Sequence, residues 1–143
     1  MNHDSLRSRG LPLLIMTLAL FAFGSLSLSA QAMVSPSVVV QDQTITDSRV
    51  VILKVVSATP GWIVIHSDNA GKPGPVVGYA AVRAGENLDV VVAIDSKKAT
   101  PVLYAMLHAD AGVVGTYEFP GADVPTMNMG AMVSPSFKAA QPM

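Results

Sequence analysis

The chain contains no cysteine. That absence removes disulfide staples, thiolate zinc sites, blue-copper sites, cysteine nucleophiles and a lipid-modified N-terminal Cys together. It also contains no Asn-x-Ser/Thr sequon. Charged residues make up only 13% of the sequence and lie scattered along it. Without Arg7, Arg9 and Asp4 the net charge is about −2, which gives no electrostatic footprint for nucleic acid or an anionic membrane. No Ser sits in a Gly-x-Ser-x-Gly elbow. No window of 11 residues beyond residue 32 holds a helical period, so there is no Gly-rich phosphate loop opening a helix.

The longest apolar run, Leu11 to Phe23, covers about a dozen residues, short of the roughly 20 that span a bilayer. It follows Arg7 and Arg9 and precedes Ala30-Gln31-Ala32. A positive n-region, a short apolar core and a small-x-small site read as a cleaved secretory signal peptide helix. Cleavage after Ala32 leaves roughly 110 residues, enough for one hydrophobic core, with no stable transmembrane segment. The expected location is secreted or extracytoplasmic, in a periplasm or at a cell surface.

What is plentiful is β signal: Val, Ile and Thr in short runs broken by Gly, Pro, Asn and Asp. Strands are expected at Val38 to Thr44, Arg49 to Ala58, Trp62 to His66, Val76 to Val82, Leu88 to Ile94, Val102 to Ala109 and Val113 to Phe119. Arg49 to Ala58 is nearly all apolar, which predicts burial on both faces. Strand alternation puts Trp62, Val64 and His66 on one face, and Tyr104, Met106 and His108 on another. Seven strands at this spacing predict an all-β, immunoglobulin-like antiparallel β-sandwich. The domains are then the signal peptide (1–32), the sandwich (33–125) and a Met/Pro/Ala-rich C-terminal segment (126–143). That segment is expected to hold a last edge strand near Val133 to Lys138, then disorder. Its Met132-Val133-Ser134-Pro135-Ser136 repeats Met33-Val34-Ser35-Pro36-Ser37.

Two stretches carry a resemblance. One is Leu103-Tyr104-Ala105-Met106-Leu107-His108-Ala109-Asp110-Ala111-Gly112 followed by Gly115-Thr116-Tyr117-Glu118-Phe119-Pro120-Gly121. The other is Gly61-Trp62-Ile63-Val64-Ile65-His66 with Pro73-Gly74-Pro75-Val76-Val77-Gly78. From about Val38 to Pro125 the chain resembles a domain-of-unknown-function family of exported or surface proteins of bacteria and archaea. The resemblance implies an exported β-sandwich module and no chemistry.

His66 and His108 are the only histidines after residue 32, and each precedes an Asp by two residues, Asp68 and Asp110. Brought together, these groups would suit a divalent metal, and Met106 on the His108 face would suit copper. The competing expectation is that each His bonds a loop and each Asp caps a turn. Met127, Met129 and Met132 add thioethers, or merely fill space. Glu118 is a candidate general base, more readily a solvent-facing carboxylate. Trp62, Tyr79, Tyr104 and Tyr117 are candidates for an aromatic platform, with Trp62 first read as core. The leading expectation is a non-enzymatic module binding a protein or envelope ligand. It needs no cofactor. The alternative is a metal-binding exported protein using His66, His108, Asp110 and Met106; a hydrolase using Glu118 and a histidine ranks third.

Overall fold

β-branched residues crowd the long strands, and the short polar turns between them leave little room for anything but antiparallel pairing. A computed structural model describes Met33–Met143; the predicted signal peptide over residues 1–32 lies outside the described residues. The fold is all-β. The strands are β1 (Ser37–Val39), β2 (Gln43–Thr44), β3 (Arg49–Ser57), β4 (Gly61–Asp68), β5 (Pro73–Val82), β6 (Gly85–Ala93), β7 (Val102–Ala109), β8 (Met127–Asn128), β9 (Ala131–Met132) and β10 (Ser136–Ala140). No helix occurs among the described residues, and none is long and apolar enough to cross a membrane.

Three sheets result. One has the order β1-β3-β6, one the order β2-β10-β7-β4-β5, and β8 and β9 form a small hairpin. The first expected strand is split. β1 joins β3 in the first sheet, while β2 runs parallel to β10 in the second. The segment from Val40 to Asp42 carries the chain between them, so one sequence run serves both sheets. Where the second sheet meets β6, Gly78 pairs with Ile94, and Val77 O accepts the Asp95 N–H at 2.8 Å. A Cβ at Gly78 would strike the Ala93 carbonyl, so this close approach needs glycine.

One core is shared by the two main sheets. Val50, Ile52 and Val55 of β3 and Val92 of β6 meet Ile63 and Ile65 of β4, Leu103 and Leu107 of β7, and Phe137 of β10. β3 alternates between buried and partly exposed positions rather than being buried on both faces. β4 is the strand that sees no water: every residue from Gly61 to Ser67 is buried. Its core face is Ile63 and Ile65; its outer face is Trp62, Val64 and His66.

The chain from Asp110 to Pro135 covers that outer face, and here the reading of the sequence needs correction. Val113 to Phe119 is not a strand but a run of turns. Its backbone donors are taken by carboxylates instead of a neighbouring strand. Asp123 accepts from Ala111 and Glu118, Glu118 accepts from Val113, and Asp110 accepts from Gly115. Gly112 and Gly115, which break the alternation, mark the spot. The free edge of β7 is then capped by later chain: Val124 and Val133 carbonyls accept from Ala109 and Leu107, and Thr126 N–H donates to Leu107. The β8–β9 hairpin projects from this edge. Both copies of the Met-Val-Ser-Pro-Ser repeat run directly into a strand, β1 and β10, yet β1 lies at a sheet edge and β10 between two partners.

Truncating the shared core should cost far more than truncating an exposed residue. Ile63→Ala is expected to lower the unfolding free energy by about 2–5 kcal/mol. Leu88→Ala, at a side chain 63% exposed, should stay within about 0.5 kcal/mol. Urea denaturation of both variants checks this.

Candidate functional site

The outer face of β4 and β7 assembles a second, partly aromatic layer. Register sets Trp62 opposite His108, Val64 opposite Met106 and His66 opposite Tyr104. Alternation puts all six side chains on one side. The two imidazoles lean towards each other over Val64 and Met106 and stack with ring centroids 5.9 Å apart and planes 19° apart. Phe119 from the covering loop meets His108 edge-on at 4.7 Å and His66 at 6.3 Å. Tyr117 stacks on Tyr79 at 4.0 Å and leans on Trp62 at 5.6 Å.

β5 does the local work of placing His66. Its register against β4 slips on both sides of His66, leaving extra residues on β5. Such bulges re-aim neighbouring groups. Here they bring the Gly74 carbonyl within 2.7 Å of His66 Nδ1. The turn that starts β5 is tight: Asn69 and Lys72 exchange backbone hydrogen bonds around Ala70-Gly71, both at positive φ. That is the two-residue hairpin geometry favoured by strand twist. The Gly/Pro-containing stretch from Ser67 to Pro75, which lies between two of the expected strands, is therefore mostly strand.

His108 Nδ1 lies 2.8 Å from the Asp123 carbonyl. A carbonyl only accepts, so both histidines carry their proton on Nδ1. Each Nε2 is left with a lone pair, buried, and with no hydrogen-bond partner. Burial pushes the His66 pKa below 6.5, against the bond to Gly74. Burial also lowers that of His108; the bond to Asp123 opposes this, and the neighbouring His66 adds to it. Burial pushes the Tyr117 hydroxyl up to about 12, helped by Tyr79 and Asp123. It too has no hydrogen-bond partner.

Asp123, wholly buried, holds the covering loop down. Burial alone would raise its pKa, but amide hydrogen bonds from Glu118, Ala111 and Gly112 together bring it below the ordinary carboxylate value. The Trp62 indole N–H adds to that pull from outside good hydrogen-bond geometry. Asp123 escaped notice in the sequence. Its signal was a lone acid in a Gly/Pro-rich loop, a composition that usually means a solvated turn.

Beside His66 opens a pocket of about 390 Å³ lined by His66, Lys72, Pro73, Gly74, Met106, Phe119, Pro125 and Met132. Of the predicted metal residues, the structure brings His66, His108 and Met106 into one layer, with His66 and Met106 on the pocket wall. It does not bring the acids with them. Asp110 accepts from Gly115 N–H at 2.7 Å, and Asp68 accepts from the Tyr104 hydroxyl and Gly71 N–H, both at 3.0 Å. Glu118 accepts from Val113 N–H at 2.6 Å. Each acid thus organises a turn. Among the described residues no group of three or more His, Asp or Glu converges as a metal site. Met132, read from the sequence as either a further thioether or filler, also lines the pocket.

With this geometry in hand, comparison with known proteins adds a family. Residues 36–140 match the family described as Domain of unknown function (DUF7282), and the chain belongs to it. No curated protein and no solved structure matches.

Two outcomes follow from the buried groups. Both imidazoles bind protons less readily when folded than at the free value of 6.5, so the unfolded chain takes up protons that the folded chain refuses. Stability is therefore full above about pH 6.5 and falls as pH drops towards the lowered values. The groups facing the pair are Asp123, Tyr117 and, at the pocket, Lys72. Calorimetry should show Tm falling from about pH 7 to about pH 5, and a His66→Gln, His108→Gln double variant should flatten that slope. An unchanged wild-type Tm across this window contradicts the assignment. Separately, Asp123→Asn should speed hydrogen exchange at the amides of Ala111, Gly112 and Glu118 while β3 and β4 stay protected. Equal protection in variant and wild type would show that the carboxylate does not hold the loop.

Proposed function

We propose that this family member is an exported, non-enzymatic, immunoglobulin-like β-sandwich that binds a ligand in the envelope or outside the cell. The bound ligand sits in the pocket beside His66. The strand orders support the fold. In immunoglobulin lettering, β1-β3-β6 reads as A-B-E and β2-β10-β7-β4-β5 as A′-G-F-C-C′, with the first strand shared between sheets. The signal-like N-terminus supports export.

The observation that carries the binding reading is one atom. His66 is 4% exposed and lines the pocket, and its Nε2 lone pair has no partner. Buried polar atoms are ordinarily satisfied, and an open one on a residue that lines a cavity of ligand size marks where a ligand completes the structure, a small turn of the ring exposing a nitrogen that is closed to solvent in the free protein. The walls favour binding over catalysis. No carboxylate lines the pocket, and Glu118, the one acid proposed as a base, spends an oxygen on the Val113 amide. His66 could serve as a base there, but no carboxylate, hydroxyl or thiol lines the walls to work with it as acid or nucleophile.

The test is native mass spectrometry of the protein recovered from the extracytoplasmic fraction of expressing cells. The expected species starts at Met33 and carries a bound mass. That mass should be absent from His66→Phe, which places a ring without a lone pair in the wall. An unprocessed chain inside the cell, or the same mass on both proteins, would overturn the reading.

A further inference from the structure

A ligand can use the His66 lone pair in two ways, by donating a hydrogen bond to it or by accepting it as a metal ion does. Resting on the ligand-binding reading above, we propose that the pocket is a Cu(I) site in which His66 Nε2 and the thioethers of Met106 and Met132 are the ligands.

Four observations lead there. The first is that His66 is already set as a metal ligand would be. Metal-bound histidines donate their second ring N–H to a carbonyl or carboxylate, which fixes tautomer and direction. The Gly74 carbonyl does this at 2.7 Å, at a position created by the slip in β5. The second is the sulfur. Met106 lies diagonally across the β4–β7 pair from His66 and is 4% exposed, and Met132 enters the same pocket from the β8–β9 hairpin.

The third observation is the hairpin itself. Met127 lies directly opposite Met132, and Met129 stands at the tip, fully exposed and at φ +50°. Left-handed turn positions favour Gly, Asn or Asp, and exposed tips favour polar residues. A methionine there gains nothing from packing. Its thioether is free to meet an incoming soft ion and pass it towards Met127 and Met132.

The fourth is charge and ligand type, which select the metal. No carboxylate that would hold Ca(II) or Mg(II) lines the walls; Asp110 and Asp68 lie elsewhere, bonded to Gly115 and Tyr104. The thiolates that accompany structural zinc are missing from the whole chain. Thioether and imidazole together suit Cu(I). The one charged side chain at the pocket, Lys72, is exposed and positive, which disfavours a dication more than a monocation.

The experiment titrates the mature chain with Cu(I) under anaerobic conditions against a colorimetric Cu(I) chelator. Methionine-methyl NMR with Ag(I), a redox-inert stand-in, runs in parallel. One equivalent should be withheld from the chelator. The methyls of Met106 and Met132 should shift together with the His66 ring, while those of Met33 and Met143 stay put. Met132→Leu, on the exposed hairpin and safe for folding, should weaken retention at least about tenfold, and Met106→Leu likewise. Zn(II) and Ca(II) should leave the methyl spectrum unchanged. No withheld Cu(I), or equal retention by the Met106→Leu, Met132→Leu double variant, overturns the proposal. If the chelator takes all the copper while the protein recovered from cells still carries a His66-dependent mass, the copper site falls and the ligand pocket stands. If neither metal nor mass is held, both fall.

Discussion

Everything distinctive about this domain depends on β4 having no face towards water. A strand in a two-sheet fold ordinarily buries one face and solvates the other. β4 buries Ile63 and Ile65 against the three-stranded sheet and also buries Trp62, Val64 and His66 on its far side. The second burial requires a cover. No third full sheet supplies it. The chain between Asp110 and Pro135 does, and a loop can lie over an apolar face only if its own backbone donors find acceptors. Asp123 is the answer to that requirement. One carboxylate collects amides from Ala111, Gly112 and Glu118, and its own backbone carbonyl accepts from His108. Side-chain oxygen replaces the neighbouring strand that the segment lacks.

The cover is not sealed evenly. Trp62 Nε1, His66 Nε2, His108 Nε2 and the Tyr117 hydroxyl all belong to this second layer, and all are buried without partners. The two buried hydroxyls on β3 and β4, Ser57 and Ser67, are by contrast each bonded to a backbone carbonyl. Each open polar group costs on the order of 1–3 kcal/mol relative to a satisfied one. A fold that needed only stability would place Leu or Phe at these positions. Two more open groups, Asp110 Oδ1 and Ser134 Oγ, lie in the chain that covers this layer, and such a concentration is what a sequence shows when local rules yield to a site.

Much of this was legible in the chain. The phase of Trp62, Val64 and His66, and that of Tyr104, Met106 and His108, follow from alternation, so each half of the layer could be read. Their meeting could not, because strand order is a long-range property, and β4 lies beside β7 rather than beside β3. The run from Val113 to Phe119 misled for a physical reason. Its Tyr117 and Phe119 do bury apolar surface as caps on the layer below, but Val113 and Val114 stay exposed, and nearby carboxylates take the place of a ladder. Met132 could be read as a candidate thioether, but its place in the pocket could not, because the Met/Pro/Ala-rich C-terminal segment carries no signal of where it docks. Only the capping of β7 by Val124 and Val133 carries the hairpin over the site.

The site is also asymmetric in rigidity, and that asymmetry suits a binding role. His66 and Met106 ride on the two strands buried most completely, and a backbone carbonyl, not a mobile side chain, sets the imidazole. Met132 comes instead from a two-pair hairpin whose Met127 and Met132 are about half exposed. Such a hairpin has little burial of its own and opens at low cost. One wall is therefore preorganised and the other can admit and close on what enters. A neutral carbonyl behind the imidazole, in place of a carboxylate, adds no net charge to the pocket. The ligand that fits such walls is one that a neutral lone pair and soft, apolar surfaces can hold.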